Sequence, residues 1–381
     1  MGNRLPYYIL GVLVLIALIW RIANPPPPVP VGPVGTFPTW RSNGPIGEMS
    51  SQSTNPSGAA WAGAWNLKTE EDTFRSAIWI IDFQKYKAAQ CELEKGLYVT
   101  DISWADDDTL RALAVDSDNP EMVTESKVLH ISAKSADIEK TTVLKTNAIR
   151  AIAWRPGADE FLAQLSTLDN GLKFAVLSET GEVIGKEFTI EAPKGSALHT
   201  DAAVSADGDM FVLSILDKTA GGGRAYYIGS PTDGAAHAFD LEDLPGRTEG
   251  IWVSGAGVLM VCAQYDKLYA VTYDLESGEI VDAKKSGQTL DMSQWPDAPA
   301  NMKFVTYNGG FDFDLAKGAT KKIFDYKKLK SSEDGWRQVV QDGRLYPLGK
   351  GYISVNVTSG EPDIRQLDKD GKKDRDLLPR Y

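Results

Sequence analysis

The chain of 381 residues begins with one uninterrupted apolar run and then changes to short apolar stretches that alternate with polar residues. The apolar run is Ile9–Trp20, and a proline-rich segment, Pro25–Pro33, follows it. From about residue 55 onward no helical period is evident, and short runs of Val, Ile, Phe, Tyr and Leu are separated by Gly, Asp and Asn turns. This pattern predicts one apolar helix followed by an all-β domain.

The β-rich part of the chain repeats with a period close to 50 residues. Four segments align as a strand, a turn rich in Asp or Gly, and a second apolar strand: VTDISWADDDTLRAL from Val99, IRAIAWRPGADEFLAQL from Ile149, TDAAVSADGDMFVLSI from Thr200 and EGIWVSGAGVLMVCA from Glu249. The matched positions are Trp104, Trp154, Val204 and Val253. Four strands in each repeat of this length are typical of β-propeller blades.

Two of these segments, AWRPGADEFLAQL and AVSADGDMFVLSI, resemble the strand–(Ser/Pro)-x-Asp-Gly–strand core of TolB-like and WD-type β-propeller repeats. The Trp-Asp dipeptide of the WD repeats is absent from the chain. The resemblance implies an all-β propeller over residues 61–370, with a charged tail at 371–381. Counting the units favours seven blades, whereas dividing the length of the domain by the period favours six.

Ring closure and core packing follow from the same repeat. Residues 77–83 and 88–93 form two strands before the first clear motif, so we expect them to share a blade with strands from the end of the domain. We expect Trp104, Trp154 and Trp252 to lie in the core between blades, because all three fall in strands of the repeated segments.

A membrane anchor is predicted at residues 7–23, after a short tail at 1–6. This segment of 17 residues carries one charge, at Arg21, and a bilayer core of about 30 Å needs roughly 17–25 apolar residues. Bulky, charged and proline residues follow the run where a signal peptidase requires small ones, which favours an uncleaved anchor over a secretion signal. The residues assigned to the anchor are Tyr7, Tyr8, Ile9, Leu13, Ile16, Trp20 and Arg21.

The flank beyond the anchor sets the expected orientation. After Arg21 the only cation before Lys68 is Arg41, so the positive-inside rule favours a cytoplasmic N-terminus and a periplasmic or otherwise extracytoplasmic head.

Residues 24–60 form a Pro-, Gly- and Ser-rich stalk and strap, of which Pro25–Gly35 would span about 30 Å as polyproline II. The strap is either a linker or an element docked on another surface. In the second case the candidate partner contacts are Phe37, Trp40, Ile46 and Met49, together with Trp295 in a later loop.

Charge and cysteine content narrow the possible partners. The chain has 52 acidic and 40 basic residues and a net charge of -12, which argues against nucleic acid and anionic lipid as partners. Cys91 and Cys262 are the only cysteines. They could form a disulfide in an oxidising compartment, but apolar neighbours favour two core thiols.

Catalytic motifs are missing from the sequence. It contains no G-x-S-x-G, H-E-x-x-H, Walker loop or G-x-G-x-x-G. Among the three histidines only His199 has an aspartate close by, Asp201, and we expect His199 to bond structurally to a turn aspartate, Asp207 or Asp209. The aspartates at 106–108, and those at 368 and 370, lack the spacing of a calcium loop. We therefore predict no catalytic residue, no cofactor, no metal and no enzyme activity.

These features predict a membrane-anchored, non-catalytic scaffold or accessory subunit that docks on or covers the extracytoplasmic face of a membrane protein complex. Its partners would be other membrane-protein subunits, in one setting those of a respiratory or photosynthetic complex, and the bilayer through one helix. Two alternatives stay open: an envelope sensor that holds a ligand in the propeller channel, and a propeller hydrolase or lyase that uses carboxylates near that channel.

Overall fold

The structure is a computed structural model that describes residues 48–376 with gaps. The residues outside the description are 1–47, 70–72, 85–86, 156–157, 169–170, 193–195, 218–222, 232–234, 240–246, 265–266, 275–288, 307–308, 326–343, 349–350, 357–362, 371–372 and 377–381. Within the described part the fold is all-β, and its helical content is two three-residue 3-10 helices, Pro120–Met122 and Met292–Gln294. No helix in these residues has the length and apolar character needed to cross a membrane.

The described strands form seven antiparallel meanders that follow one another along the chain. The first is β1 (Glu48–Thr54), β2 (Ala60–Lys68), β3 (Phe74–Asp82) and β4 (Lys87–Glu92). The second is β5 (Tyr98–Trp104), β6 (Thr109–Val115), β7 (Ser126–Ser132) and β8 (Ile138–Val143). The third is β9 (Arg150–Trp154), β10 (Glu160–Leu168), β11 (Gly171–Ser178) and β12 (Val183–Glu191). The fourth is β13 (Ala197–Val204), β14 (Phe211–Asp217), β15 (Gly223–Ser230) and β16 (Ala235–Phe239).

The later meanders are described less completely. The fifth is β17 (Arg247–Ser254), β18 (Gly257–Gln264) and β19 (Lys267–Tyr273). The sixth is β20 (Asn301–Thr306), β21 (Gly309–Asp314) and β22 (Ala319–Asp325). The seventh is β23 (Arg344–Leu348), β24 (Gly351–Asn356), β25 (Asp363–Leu367) and β26 (Lys373–Asp376). The sixth and seventh share one sheet because β20 and β23 pair at Phe304 and Arg344.

The first strands of successive meanders lie side by side. β1 lies next to β5, β5 next to β9, β9 next to β13, and β13 next to β17. Sheets that meet along their first strands and extend outward strand by strand are the blades of a β-propeller. We therefore number the meanders as blades 1–7, and the predicted propeller architecture is confirmed at this level.

A bulge recurs in the first strand of several blades and carries the predicted period. The pairing of the first and second strands shifts register between Met49 and Ser51 in blade 1 and between Val99 and Asp101 in blade 2. A corresponding shift falls between Thr248 and Gly250 in blade 5. Bulges increase local twist and bend a strand, so the repeat seen in the sequence is also a repeat of backbone geometry.

The expected sharing of a blade between the two ends of the domain is wrong for the described residues. β3 pairs with β2 on one side and with β4 on the other, and β1 pairs with β2, so blade 1 is built from consecutive strands. The domain thus includes Glu48–Thr54, which lie inside the segment predicted as a strap. The predicted C-terminal tail likewise contributes β26, whose Arg375 pairs with Gln366 in β25.

Apolar side chains fill the spaces between blades. Separate clusters lie between blades 1 and 2, 2 and 3, 3 and 4, 4 and 5, and 5 and 6. Trp104 belongs to the first of these clusters, Trp154 packs against the second, and Trp252 packs against the last, as predicted. A buried side chain of this kind contributes roughly 1.5–3 kcal/mol.

The two cysteines lie in different core clusters. Cys91 is in β4 between blades 1 and 2, and Cys262 is in β18 between blades 4 and 5. Both are buried and they form no disulfide, so the core assignment is the correct one. Burial, with a smaller contribution from the negative charge of Asp137, raises the pKa of the Cys91 thiol to about 11.

Candidate functional site

Most residues predicted to contact a membrane or a partner fall outside the described part of the chain. This holds for Tyr7, Tyr8, Ile9, Leu13, Ile16, Trp20, Arg21, Phe37, Trp40 and Ile46. Met49 lies in β1, where it pairs with Trp65 of β2.

The prediction that Trp295 is a surface contact needs correction. It does follow a short loop element, the 3-10 helix Met292–Gln294, but its side chain is only 5% exposed. The ring packs between blades 5 and 6 with Leu259 and Phe313. A buried indole in a tight core has no free face, so Trp295 stabilises the packing of two blades.

One charged cluster lies between blades 2 and 3. Arg111, His130 and Lys140 stand opposite one another on β6, β7 and β8, and therefore point from the same face of blade 2. Glu179, in the turn after β11, reaches this row from blade 3. Its Oε1 lies 3.0 Å from Arg111 Nε, and its Oε2 lies 3.0 Å from His130 Nε2 and 3.4 Å from Lys140 Nζ.

Two further groups of blade 3 hold Arg111 in place. Its Nη2 donates to Asp159 Oδ1 at 2.7 Å, and its guanidinium lies 4.8 Å from the centre of the Trp154 ring. The side chains of Arg111 and Glu179 are 10% and 6% exposed. A carboxylate engaged by three positively charged or hydrogen-bonding groups is well placed to join two blades and poorly placed to accept a proton from a substrate.

A second polar link joins the innermost strands. Asp101 of β5 accepts from Arg150 Nη2 at 2.9 Å and from the backbone N–H of Ala151 at 3.0 Å, both in β9. The carboxylate of Asp101 raises the pKa of the Arg150 guanidinium. One repeat earlier, the hydroxyl of Ser51 accepts from the N–H of Ile102 at 3.1 Å. A side chain at the bulge therefore binds the next blade in both cases.

A long loop between β6 and β7, residues 116–125, is held by side-chain hydrogen bonds. Asp116 accepts from the backbone N–H of Thr124 at 2.9 Å and from its hydroxyl. Burial acts to raise the pKa of Asp116, but the hydrogen bonds from Thr124 outweigh it, so that pKa is lowered. Asn119 caps the 3-10 helix at its N-terminus by accepting from Glu121 N–H at 3.1 Å. We refer to this segment as the 116–125 loop.

The turn aspartates have structural roles, as predicted. Asp106 accepts from the N–H groups of Asp108 and Thr109 at 2.8 and 2.7 Å, and Asp368 accepts from the N–H of Asp370 at 2.9 Å. Within the described ranges, three or more His, Cys, Asp or Glu residues do not come together in a geometry that could hold a metal ion.

The backbone of His199 belongs to β13, but its side chain is not among the described parts of the structure. The predicted bond from His199 to Asp207 or Asp209 therefore stays a prediction. Asp207, one of its two expected partners, binds the hydroxyl of Ser205 at 2.5 Å and the N–H of Asp209 at 3.1 Å.

Sequence reasoning missed the Arg111–Glu179 link and the 116–125 loop. The first had a weak signal, a charged residue within the otherwise apolar strand TLRALAV. The second had a clearer one, because DSDNPEMVTE places four acids around a single methionine.

No protein family and no curated protein matches the sequence. Among solved structures, the β-propeller domain of the trilobed protease from Pyrococcus furiosus matches with 14% identity over 88% of this chain and 97% of that one, with a TM-score of 0.44. An acylaminoacyl peptidase from Pyrococcus horikoshii matches with 13% identity over 88% of this chain and 52% of that one, with a TM-score of 0.45. AztD from Citrobacter koseri matches with 15% identity over 88% and 86%, with a TM-score of 0.41.

The prediction that the protein is not an enzyme is contradicted by the peptidases among these matches. The chain spans 52% of the length of the acylaminoacyl peptidases that it resembles. At identities of 10–15% the likeness concerns the fold, so no peptidase activity is carried over to this chain. None of the three structures described above carries the TolB or WD-repeat name, and that narrower resemblance stays a prediction.

Proposed function

We propose that the protein is a membrane-tethered propeller that docks on the extracytoplasmic face of a membrane protein complex. In this proposal residues 7–23 form the anchor, residues 24–47 form the stalk, and the N-terminus is cytoplasmic. The propeller belongs to the TolB-like and WD-type repeats and presents its loops to other membrane-protein subunits. A bioenergetic complex is the setting that we consider first.

The course of β1 is the observation that carries the proposal. β1 (Glu48–Thr54) lies inside the segment 24–60 predicted as stalk and strap, and it lies next to β5 at the inner edge of the blades. The stalk and the innermost strand are therefore continuous along the chain. A rigid ring joined to an anchor by about 24 residues stays within reach of its neighbours in the bilayer, which raises their effective concentration.

The charge of the head supports a protein partner over a lipid or nucleic-acid one. The chain carries a net charge of -12, and a surface of that sign is repelled by phosphate groups. Propeller loops held by a rigid scaffold are suited to binding because they lose little conformational entropy when they dock.

Membrane partition of the full-length chain tests the anchor. We expect the protein to remain in the membrane pellet after an alkaline wash, and the double substitution Leu13→Asp with Ile16→Asp to release it, because charged side chains are costly in the bilayer core. Val31→Asp with Val34→Asp, the same change placed in the stalk, is the matched control and should leave the protein in the pellet. Release of the unsubstituted protein by the wash would overturn the proposal.

A further inference from the structure

The 116–125 loop lies beside the point at which the stalk joins the propeller. Glu48, the first residue of β1, pairs with Asn66 of β2. Two residues further along β2, Lys68 Nζ lies 3.8 Å from Asp118 Oδ2 in the loop. The loop therefore shares the end of the ring at which the stalk arrives.

Contacts with three blades hold the 116–125 loop in one conformation. Blade 1 contributes Lys68, and blade 2 contributes the two strands that the loop connects. Asn147, in the link to blade 3, donates its side-chain N–H to the carbonyl of Thr124 at 2.6 Å. The 3-10 helix of the loop also approaches β10 of blade 3. The exposure of its apolar residue is thus a property of an ordered surface.

Met122 is the most exposed large apolar side chain in the described residues. Its side chain is 64% exposed. Leaving such side chains in water costs free energy that a partner can recover. Methionine is enriched at the centre of protein interfaces because its flexible, polarizable side chain adapts to the partner's shape.

The charge around Met122 indicates which kind of partner could bind there. The 116–125 loop contains four acids and no Lys or Arg. Lys68 pairs with Asp118 and Lys127 pairs with Glu125 at 2.9 Å, whereas Glu121, next to Met122, faces solvent. An apolar contact with an acidic rim attracts a cationic partner and repels an anionic bilayer.

We infer that the surface of the 116–125 loop around Met122 binds a segment of an integral membrane partner in which Lys or Arg stands beside a large apolar side chain. The apolar side chain of the partner covers Met122, and its cation lies against Glu121. This inference rests on the proposed function, because the stalk that brings the loop near the membrane is part of that proposal.

Site-directed photo-cross-linking of the full-length chain in its native membrane tests the inference. A photoreactive phenylalanine analogue is placed at position 122 and, as the matched control, at Lys134, whose side chain is 68% exposed in the turn between β7 and β8. We expect position 122 to cross-link to a membrane-protein peptide that contains Lys or Arg next to an apolar residue, and position 134 not to do so. A product with lipid, a product with a second copy of the chain, or no product while the complex is intact would overturn the inference.

A charge substitution gives a second, independent readout. Met122→Glu should lower the amount of assembled complex at least about tenfold, because it places a desolvated carboxylate in an apolar contact. Lys134→Glu should leave assembly unchanged, and both variants should keep the thermal midpoint of the parent because both sites are exposed. Full assembly of Met122→Glu would refute the docking surface alone. If the unsubstituted chain is found in no membrane protein complex, both the proposed function and the inference are refuted.

Discussion

Glu179 and Arg111 form an ion pair across the boundary between blades 2 and 3, with Oε1 and Nε 3.0 Å apart and both side chains buried. Arg111 lies in the aligned repeat segment that begins at Val99, whereas Glu179 follows β11 and lies outside the aligned segments. The pair adds a buried ionic contact to the apolar cluster and the Asp101–Arg150 link that also join these two blades. Its burial makes it sensitive to the loss of either partner.

Removal of one partner should therefore destabilise the propeller strongly. We expect Arg111→Met to lower the free energy of unfolding by about 3–5 kcal/mol, because Glu179 is left as a buried carboxylate without its main counter-charge. Urea denaturation measures the change. Replacing both Arg111 and Glu179 by Leu should recover much of the loss. The matched control is Lys134→Met, which breaks an exposed pair with Asp108 and should leave the urea midpoint unchanged. Equal effects of the two single variants would contradict this account.

The turn aspartate Asp207 should make stability depend on pH. The hydroxyl of Ser205 and then the N–H of Asp209 lower the pKa of Asp207 below its usual value of 3.8. A carboxyl with a lowered pKa in the folded state stabilises the protein above its unfolded pKa, and this stabilisation is lost as pH falls through the folded pKa. Asp207→Asn should thus cost roughly 0.5–1 kcal/mol at pH 7, with the difference from the parent vanishing well below pH 3.8.

The control for this pH profile is Asp209→Asn, which removes the same charge two residues away and leaves the bond from Ser205 intact. Denaturant midpoints measured from pH 2 to pH 7 should separate the two variants at neutral pH. Parallel profiles for both variants would show that Asp207 has no special role.

Substitutions at two glycines with positive φ distinguish the cost of backbone strain from the cost of a steric clash. Gly257 has a φ of 139°, and a Cβ there would lie 2.2 Å from the carbonyl oxygen of Tyr273. Gly58 has a φ of 69° and open space around it. We expect Gly58→Ala to cost about 1 kcal/mol and Gly257→Ala about 3 kcal/mol or more, because only the second forces two backbone segments apart. Similar urea midpoints for the two variants would contradict the packing of β17–β19.

The buried thiol of Cys91 should resist alkylation in the folded protein. Burial raises its pKa to about 11 from an ordinary value of 9.0, so at pH 8.5 little thiolate is present and little of it is accessible. Iodoacetamide should label Cys91 only after unfolding in urea, while a cysteine introduced by Ser135→Cys in an exposed turn should react in the folded state. Because the folded pKa is raised, Cys91 stabilises the fold below pH 9 and this contribution is lost as pH rises toward 11. Rapid labelling of native Cys91 would be inconsistent with the core.

The sequence predicted the blades because their signal is local and repeated. Alternating apolar residues and Asp-Gly turns recur every 50 residues or so, and Trp104 and Trp154 occupy the expected inter-blade positions. β1 escaped detection because EMSSQST is polar and has no apolar alternation. β26 was assigned to the tail since KDRD is charged, and charged residues on an outermost strand protect its edge.

The candidate sites were harder to predict because they depend on contacts between blades. Arg111 and Glu179 are 68 residues apart in sequence, and no spacing rule brings them together. The burial of Trp295 also depends on neighbours in two blades. For Met122 the sequence shows an acidic segment with one methionine, but its exposure is a property of the folded chain. The position of the 116–125 loop beside β2 follows from the contact between Lys68 and Asp118.

The most direct test of the central claim is the size of the full-length protein extracted from its native membrane in mild detergent. We predict that it migrates on native gels with a larger membrane protein complex, and that Leu13→Asp with Ile16→Asp removes it from that complex while the propeller stays folded. Substitutions serve better here than an N-terminal deletion, because a deletion that passes Glu48 removes β1 and damages blade 1. Migration of the intact, unsubstituted chain as a monomer would contradict the account.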